Sequence, residues 1–137
     1  MNIVKRILGV LAGVAVGLVF VMAGDYLSSV IHPWQKGLDY HNKEVVANFM
    51  LTVPFTAFLV MMVAYAFGAF LGGIVAALIT GRSASRPAII VGIILTIGSI
   101  FNQVEIPHPL WFAIAAVLIP IPLAWCGWKL LSPTASA

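Results

Sequence analysis

The chain has 137 residues, 62% of them hydrophobic and only 8% charged, with a formal net charge of +3. A soluble domain carries roughly 25% charged residues and could not cover its surface with so few. Intrinsic disorder needs the opposite composition. The length fits one domain over residues 1–137. Seven basic residues scattered in ones and twos form no stripe that would grip nucleic acid. Cys126, the single cysteine, cannot close a disulfide within the chain. The composition predicts an all-α integral membrane protein.

A spanning helix needs about 20 apolar residues. Four stretches qualify, at approximately 7–31, 54–80, 87–104 and 110–130. The first follows Lys5 and Arg6 and resembles a signal peptide, with Val21-Met22-Ala23 as a small-x-small site. Its apolar run continues past the usual limit of about 15 residues for a signal core, so an uncleaved anchor is expected. The breaks fall at His32–Asn48, Gly81–Arg86 and Val104–Pro109. Gly81 can close one helix, Ser85 can cap the next, and Pro87 suits a first turn. Four transmembrane helices in two hairpins result.

The second apolar stretch is longer than one crossing requires. Phe49 to Ile79 as continuous helix would measure about 46 Å against a hydrocarbon thickness of about 30 Å. Two arrangements fit. Either Glu44–Val53 forms a short interfacial helix in the first outer loop, with the chain turning inward at Pro54, or one long tilted helix is kinked there.

Basic residues set the orientation. With the N-terminus inside, Lys5, Arg6, Arg82, Arg86 and Lys129 lie inside, and Lys36 and Lys43 outside. This bias of five to two predicts N-in/C-in topology, both termini cytoplasmic, in a bacterial inner membrane. Trp34, Trp111, Trp125, Trp128, Tyr26 and Tyr40 fall near span ends, as interface anchors do.

Close packing of small residues joins helices in lipid. The first span carries Gly9, Gly13, Gly17 and Gly24, which lie within about 80° of one another on a helical wheel. The second repeats the pattern with Ala64, Gly68, Gly72 and Ala76, and Gly73 widens the groove. The third is thinner, with Gly92, Thr96 and Ser99, and Pro120 and Pro122 should bend the fourth. These stripes fit packing within the bundle or between subunits.

The span interiors hold no ionisable residue, which argues against a proton-driven transporter. No nucleophile elbow, phosphate loop, HExxH or CxxC occurs, and no enzymatic activity or cofactor is expected. All four acidic residues and all three histidines lie toward the outer side. The first and third spans both leave the membrane there through a His-Pro step followed by tryptophan: His32-Pro33-Trp34 and His108-Pro109-Leu110-Trp111.

Asp25, Ser28 and His32 occupy neighbouring turns of the first span, and Asn102, Glu105 and His108 those of the third. If the two helices are neighbours, Asp25, His32, Glu105 and His108 would converge in one outer polar pocket, its carboxylates raising the histidine pKa values. Such a set could bind a divalent metal or respond to pH, although Pro107 inside the Glu105–His108 pair weakens the geometry. Asn102 and Gln103 can instead serve as hydrogen-bonding glue between helices.

Two functional readings follow. One is a non-enzymatic scaffold, homo-oligomer or accessory subunit of a membrane complex, with the lipid bilayer and itself or another membrane protein as partners. The other is a small channel or carrier for an ion or small solute, with the outer His/carboxylate mouth as its opening.

Overall fold

The computed structural model describes residues 2–133 and is all-helical over that range, without strands. Its helices are α1 (Ile3–Ile31), α2 (Lys43–Met50), α3 (Phe55–Thr80), α4 (Arg86–Glu105), α5 (Leu110–Leu118) and α6 (Pro120–Leu131). Four helical stretches are long and apolar enough to cross a membrane: α1, α3, α4, and α5 with α6 taken together.

The first helix starts earlier than composition suggests. Asn2 caps it by accepting a hydrogen bond from the Val4 amide at 2.9 Å, so the helix takes in Lys5 and Arg6. Between His32 and Pro54 the chain forms a separate short helix rather than one long kinked one. Asn42 caps α2 through the Glu44 and Val45 amides, and Glu44 adds a favourable charge in its first turn. The helix stops at Met50, short of the expected Val53, and Pro54 becomes the N-cap of α3. Gly81 closes α3 with φ at +101°, a conformation that favours glycine. Ser85 does stand at the N-cap of α4, but its side chain makes no capping bond.

In the fourth apolar stretch the helix divides at Ile119, where Pro120 supplies no amide. Ile119 itself keeps helical dihedrals (φ −75°, ψ −40°), so the prolines break the hydrogen-bond ladder without a turn in the backbone. Phe112, Ala116, Pro120, Ala124 and Gly127 make one continuous buried face across the break.

Small residues lie inside and large apolar residues outside. The buried positions of α1 are Gly9, Gly13, Gly17, Gly24 and Ser28, while Leu8, Leu11, Leu18, Val19, Met22 and Val30 are exposed. Water would disfavour that exposed surface, and lipid tails solvate it. Gly9 lies against Ala76 and Thr80, Gly13 against Gly72, Gly17 beside Gly68, and Gly24 against Ala64 and Met61. The paired numbers run in opposite directions, so α1 and α3 are antiparallel. Helix α4 lies alongside α1, with Gly13 near Val91 and Gly17 near Leu95.

Helix α6 closes the bundle through glycines of its own and of its neighbours. Gly73 approaches the Ala124 backbone, Gly127 the carbonyl of Phe70, and Gly92 the backbone of Pro120 and Ile121. Thr96 donates to the Val117 carbonyl at 3.3 Å, and Trp128 Nε1 donates to the Arg82 carbonyl at 2.9 Å, tying α6 to the α3–α4 connection. The contacts of Gly73 with Ala124 and of Gly127 with Phe70 and Ile74 join α3 to α6, a pairing that the stripes of the first two spans do not name.

Candidate ligand cavity at the histidine-bearing end

Tertiary structure builds a roof over one end of the bundle. The buried face of α2 (Val46, Phe49, Met50) joins Phe58, Met61, Met62, Tyr65, Phe112 and Ala116 in one apolar cluster. Trp34, in the loop before α2, stacks on Phe49 with ring centroids 4.4 Å apart and meets Tyr40 edge-on. The Tyr40 hydroxyl donates to the Gln35 carbonyl at 2.9 Å and folds this loop on itself.

A relay of hydrogen bonds fastens the roof to α1. Thr52 Oγ1 donates its one proton to the Phe49 carbonyl at 2.6 Å. The 3.0 Å contact between His32 Nε2 and Thr52 Oγ1 must therefore be donated by the imidazole. His32 is thus tied to the end of α2 and is tilted against Phe49.

Beneath the roof lies a cavity of about 220 Å³, lined by Asp25, Ser28, Ser29 and His32 of the first helix and its end, with Asn102 and His108 from across the bundle. Trp34, Phe49 and Phe58 contribute aromatic wall. A second cavity, of about 360 Å³, continues along the bundle between α1 and α4. Val14, Leu18, Val21, Ile94 and Leu95 make it largely apolar, and Gly17 and Gly98 leave space. A Cβ on Gly98 would meet nothing within 4 Å. Asp25 and Asn102 line both cavities.

At this junction Tyr65, on α3 and buried to 6% exposure, donates its hydroxyl to Asp25 Oδ1 at 2.8 Å. Asn102 approaches the same hydroxyl. Ser28 is also buried, on the α1 face that carries the packing glycines.

Five of the six residues expected in the outer pocket, Asp25, Ser28, His32, Asn102 and His108, therefore line one cavity. Glu105 does not. It is the last residue of α4 and is exposed, because the chain turns extended at Ile106 before Pro107. His108 returns to the cavity by a different route. Its Nδ1 donates to the Ile106 carbonyl at 2.6 Å, and its ring stacks on Phe112 at 4.8 Å. Burial among these rings pushes the His108 pKa down, against the smaller upward pull of that hydrogen bond. This reverses the expected carboxylate-driven rise. Neither histidine's hydrogen bond goes to a carboxylate.

No group of three His, Cys, Asp or Glu side chains among the described residues is arranged to hold a metal ion. Loss of Glu105 from the constellation removes the carboxylate that a His/carboxylate ligand set would need beside Asp25. Gln103, named as possible glue between helices, has a buried side-chain amide with no hydrogen-bond partner.

Sequence reasoning passed over Tyr65, Thr52 and the roofing rings of Phe49 and Phe58. For Tyr65 a signal was present: a tyrosine within an apolar span needs a partner for its hydroxyl. The others are joined to the cavity only by the path of the loop. Comparison with protein families, curated proteins and solved structures finds no match to the chain.

Proposed function

We propose that the chain is a non-enzymatic membrane protein that binds and carries a small solute through a mouth at the histidine-bearing end, facing outward. The observation that carries this reading is the meeting of two cavities at Asp25 and Asn102, with Tyr65 of the second cavity hydrogen-bonded to Asp25. Ligand sites are characteristically apolar hollows with a few converging polar groups. A carboxylate toward the end of a helix long and apolar enough to span is a candidate functional group, and Asp25 stands where the two cavities meet.

The glycines that prompted the scaffold reading are turned toward α3 within the chain, which leaves that stripe unavailable as a subunit contact. The basic residues at the opposite end support an outward mouth, since Arg82, Arg86 and Lys129 lie there with Lys5 and Arg6.

Reconstituted vesicles test the reading. Uptake from a panel of radiolabelled small cations, amines and polyols is expected above that of empty vesicles for at least one class. It should be lost on Ser28→Trp, which fills the mouth. Uptake no greater than empty vesicles for every member, or uptake indifferent to Ser28→Trp, would overturn the carrier function.

A further inference from the structure

We propose that the paired cavities hold a single-chain amphipathic ammonium ion, its head beside Asp25 and its alkyl tail in the cleft between α1 and α4. This ligand class rests on the binding role inferred above. Charge decides the sign of the head. Asp25 is the one carboxylate lining either cavity among the described residues, and Tyr65 occupies only part of its acceptor capacity. An anion at this place would be repelled, and a neutral head would forgo the attraction that the Asp25 carboxylate offers a cation.

The walls decide the kind of cation. A hard metal ion is held mainly by several carboxylates, and among the described residues Asp25 is the one carboxylate that lines either cavity, with no group of three His, Cys, Asp or Glu side chains converging. Trp34, Phe49 and Phe58 present aromatic surface instead, which suits an alkylated ammonium because such a cation sheds its water cheaply and is attracted to aromatic rings. Burial holds the His108 pKa below its ordinary value, which disfavours an opposing charge on that ring.

The lower cavity decides the tail. From Asp25 to Val14 along α1 the helix rises about 16 Å, a length that a dodecyl chain spans. Its walls are aliphatic, and Leu18 and Ile94, both exposed, place its side toward lipid. A tail can therefore slide in from the bilayer while its head stays at the polar junction.

Equilibrium binding of radiolabelled alkyltrimethylammonium salts to the protein in lipid nanodiscs, referred to empty nanodiscs, tests this. Saturable binding of dodecyltrimethylammonium is expected, with dodecyl maltoside and dodecyl sulfate failing to compete. Asp25→Asn keeps an acceptor for Tyr65 and so spares the fold, yet should weaken binding about tenfold or more. Gly98→Leu grows into open space and should weaken the dodecyl compound about tenfold while leaving butyltrimethylammonium unchanged.

Absence of saturable binding, full competition by the maltoside, or indifference to Asp25→Asn would overturn the ligand class. The two inferences fail separately. Uptake of another solute without ammonium binding leaves the carrier and removes the ligand class. Ammonium binding without any uptake leaves the ligand class and removes the carrier.

Discussion

Tyr65 and Asp25 share one hydrogen bond but stand in different surroundings. The tyrosine is buried, while the aspartate is exposed and opens onto both cavities. Removing Asp25 takes away the acceptor of the buried hydroxyl's proton and leaves Asn102 as its one remaining neighbour, a loss of about 1–3 kcal/mol. Removing the Tyr65 hydroxyl leaves a carboxylate that can still be solvated from the cavity. Asp25→Ala should therefore lower the melting temperature in detergent more than Tyr65→Phe does, and Asp25→Asn should recover most of the loss. Equal losses for Asp25→Ala and Asp25→Asn would show that the hydrogen bond is not what matters. His108 supplies a pH dependence. Its folded pKa lies below the ordinary value of 6.5, so an unfolded chain takes up a proton that the folded one resists. This contribution to stability is complete above about 6.5 and is lost as pH falls toward and through the folded value. Melting temperatures should fall with acidification across that window, and His108→Gln should flatten the slope. Asp25 and His32, which line the same cavity, are retained in both proteins, so the difference between the two curves isolates His108.

At the scale of helices, a glycine's importance depends on what an added methyl would strike. On Gly13 a Cβ would stand 2.6 Å from the Gly72 carbonyl oxygen and 2.8 Å from a Val91 methyl, and the backbone of α3 cannot give way locally. On Gly17 it would meet only the end of the Leu95 side chain, at 2.8 Å, which can rotate aside. Gly13→Ala should thus cost about 1–3 kcal/mol by overpacking, and Gly17→Ala clearly less. Gly73→Ala and Gly127→Ala, each facing the backbone of the opposite helix, belong with Gly13. Unfolding of the four variants in mixed micelles measures the order. A Gly17→Ala loss as large as that of Gly13→Ala would contradict it. Helix α2 shows a different dependence. Its eight residues are too few for a stable isolated helix, so the Asn42 cap and the packing of Val46, Phe49 and Met50 hold it in place.

For the molecule as a whole, the arrangement of exposed surface calls for a bilayer and the basic residues call for a direction. Large apolar side chains cover the outside of the long helices, and the one connection at the end bearing Arg82 and Arg86, residues 81–85, is short. In the orientation proposed, a cysteine at Ser83 should react with membrane-impermeant maleimide only after the cytoplasmic side is opened, in a Cys126→Ser background. A cysteine at Lys36, in the loop before α2, should react in intact cells. The reverse pattern would invert the molecule and turn the cavity mouth toward the cytoplasm.

Much of this architecture is legible in the sequence because it depends on properties that act locally. Twenty or so consecutive apolar residues can satisfy their backbone in lipid only as helix, so the four long stretches and the breaks at His32, Gly81 and Pro107 are visible from composition and from proline and glycine placement. A stripe of glycines on one helix face likewise announces a close contact. The stripe does not name its partner, and Gly127, on a face with Ala116, Pro120 and Ala124, shows its role only when Phe70 is brought against it. The cavity is less legible still. Asp25 and Tyr65 are 40 residues apart, and their bond exists because antiparallel packing of α1 on α3 sets them level. Glu105 and His108, three residues apart, look equivalent on a helical wheel. The end of α4 at Glu105 separates them, leaving one exposed and folding the other back under the aromatic roof. Local chemistry therefore determines where helices run and what they bury, while charge, aromatic wall and open space come together through contacts between distant segments, which only the tertiary structure decides.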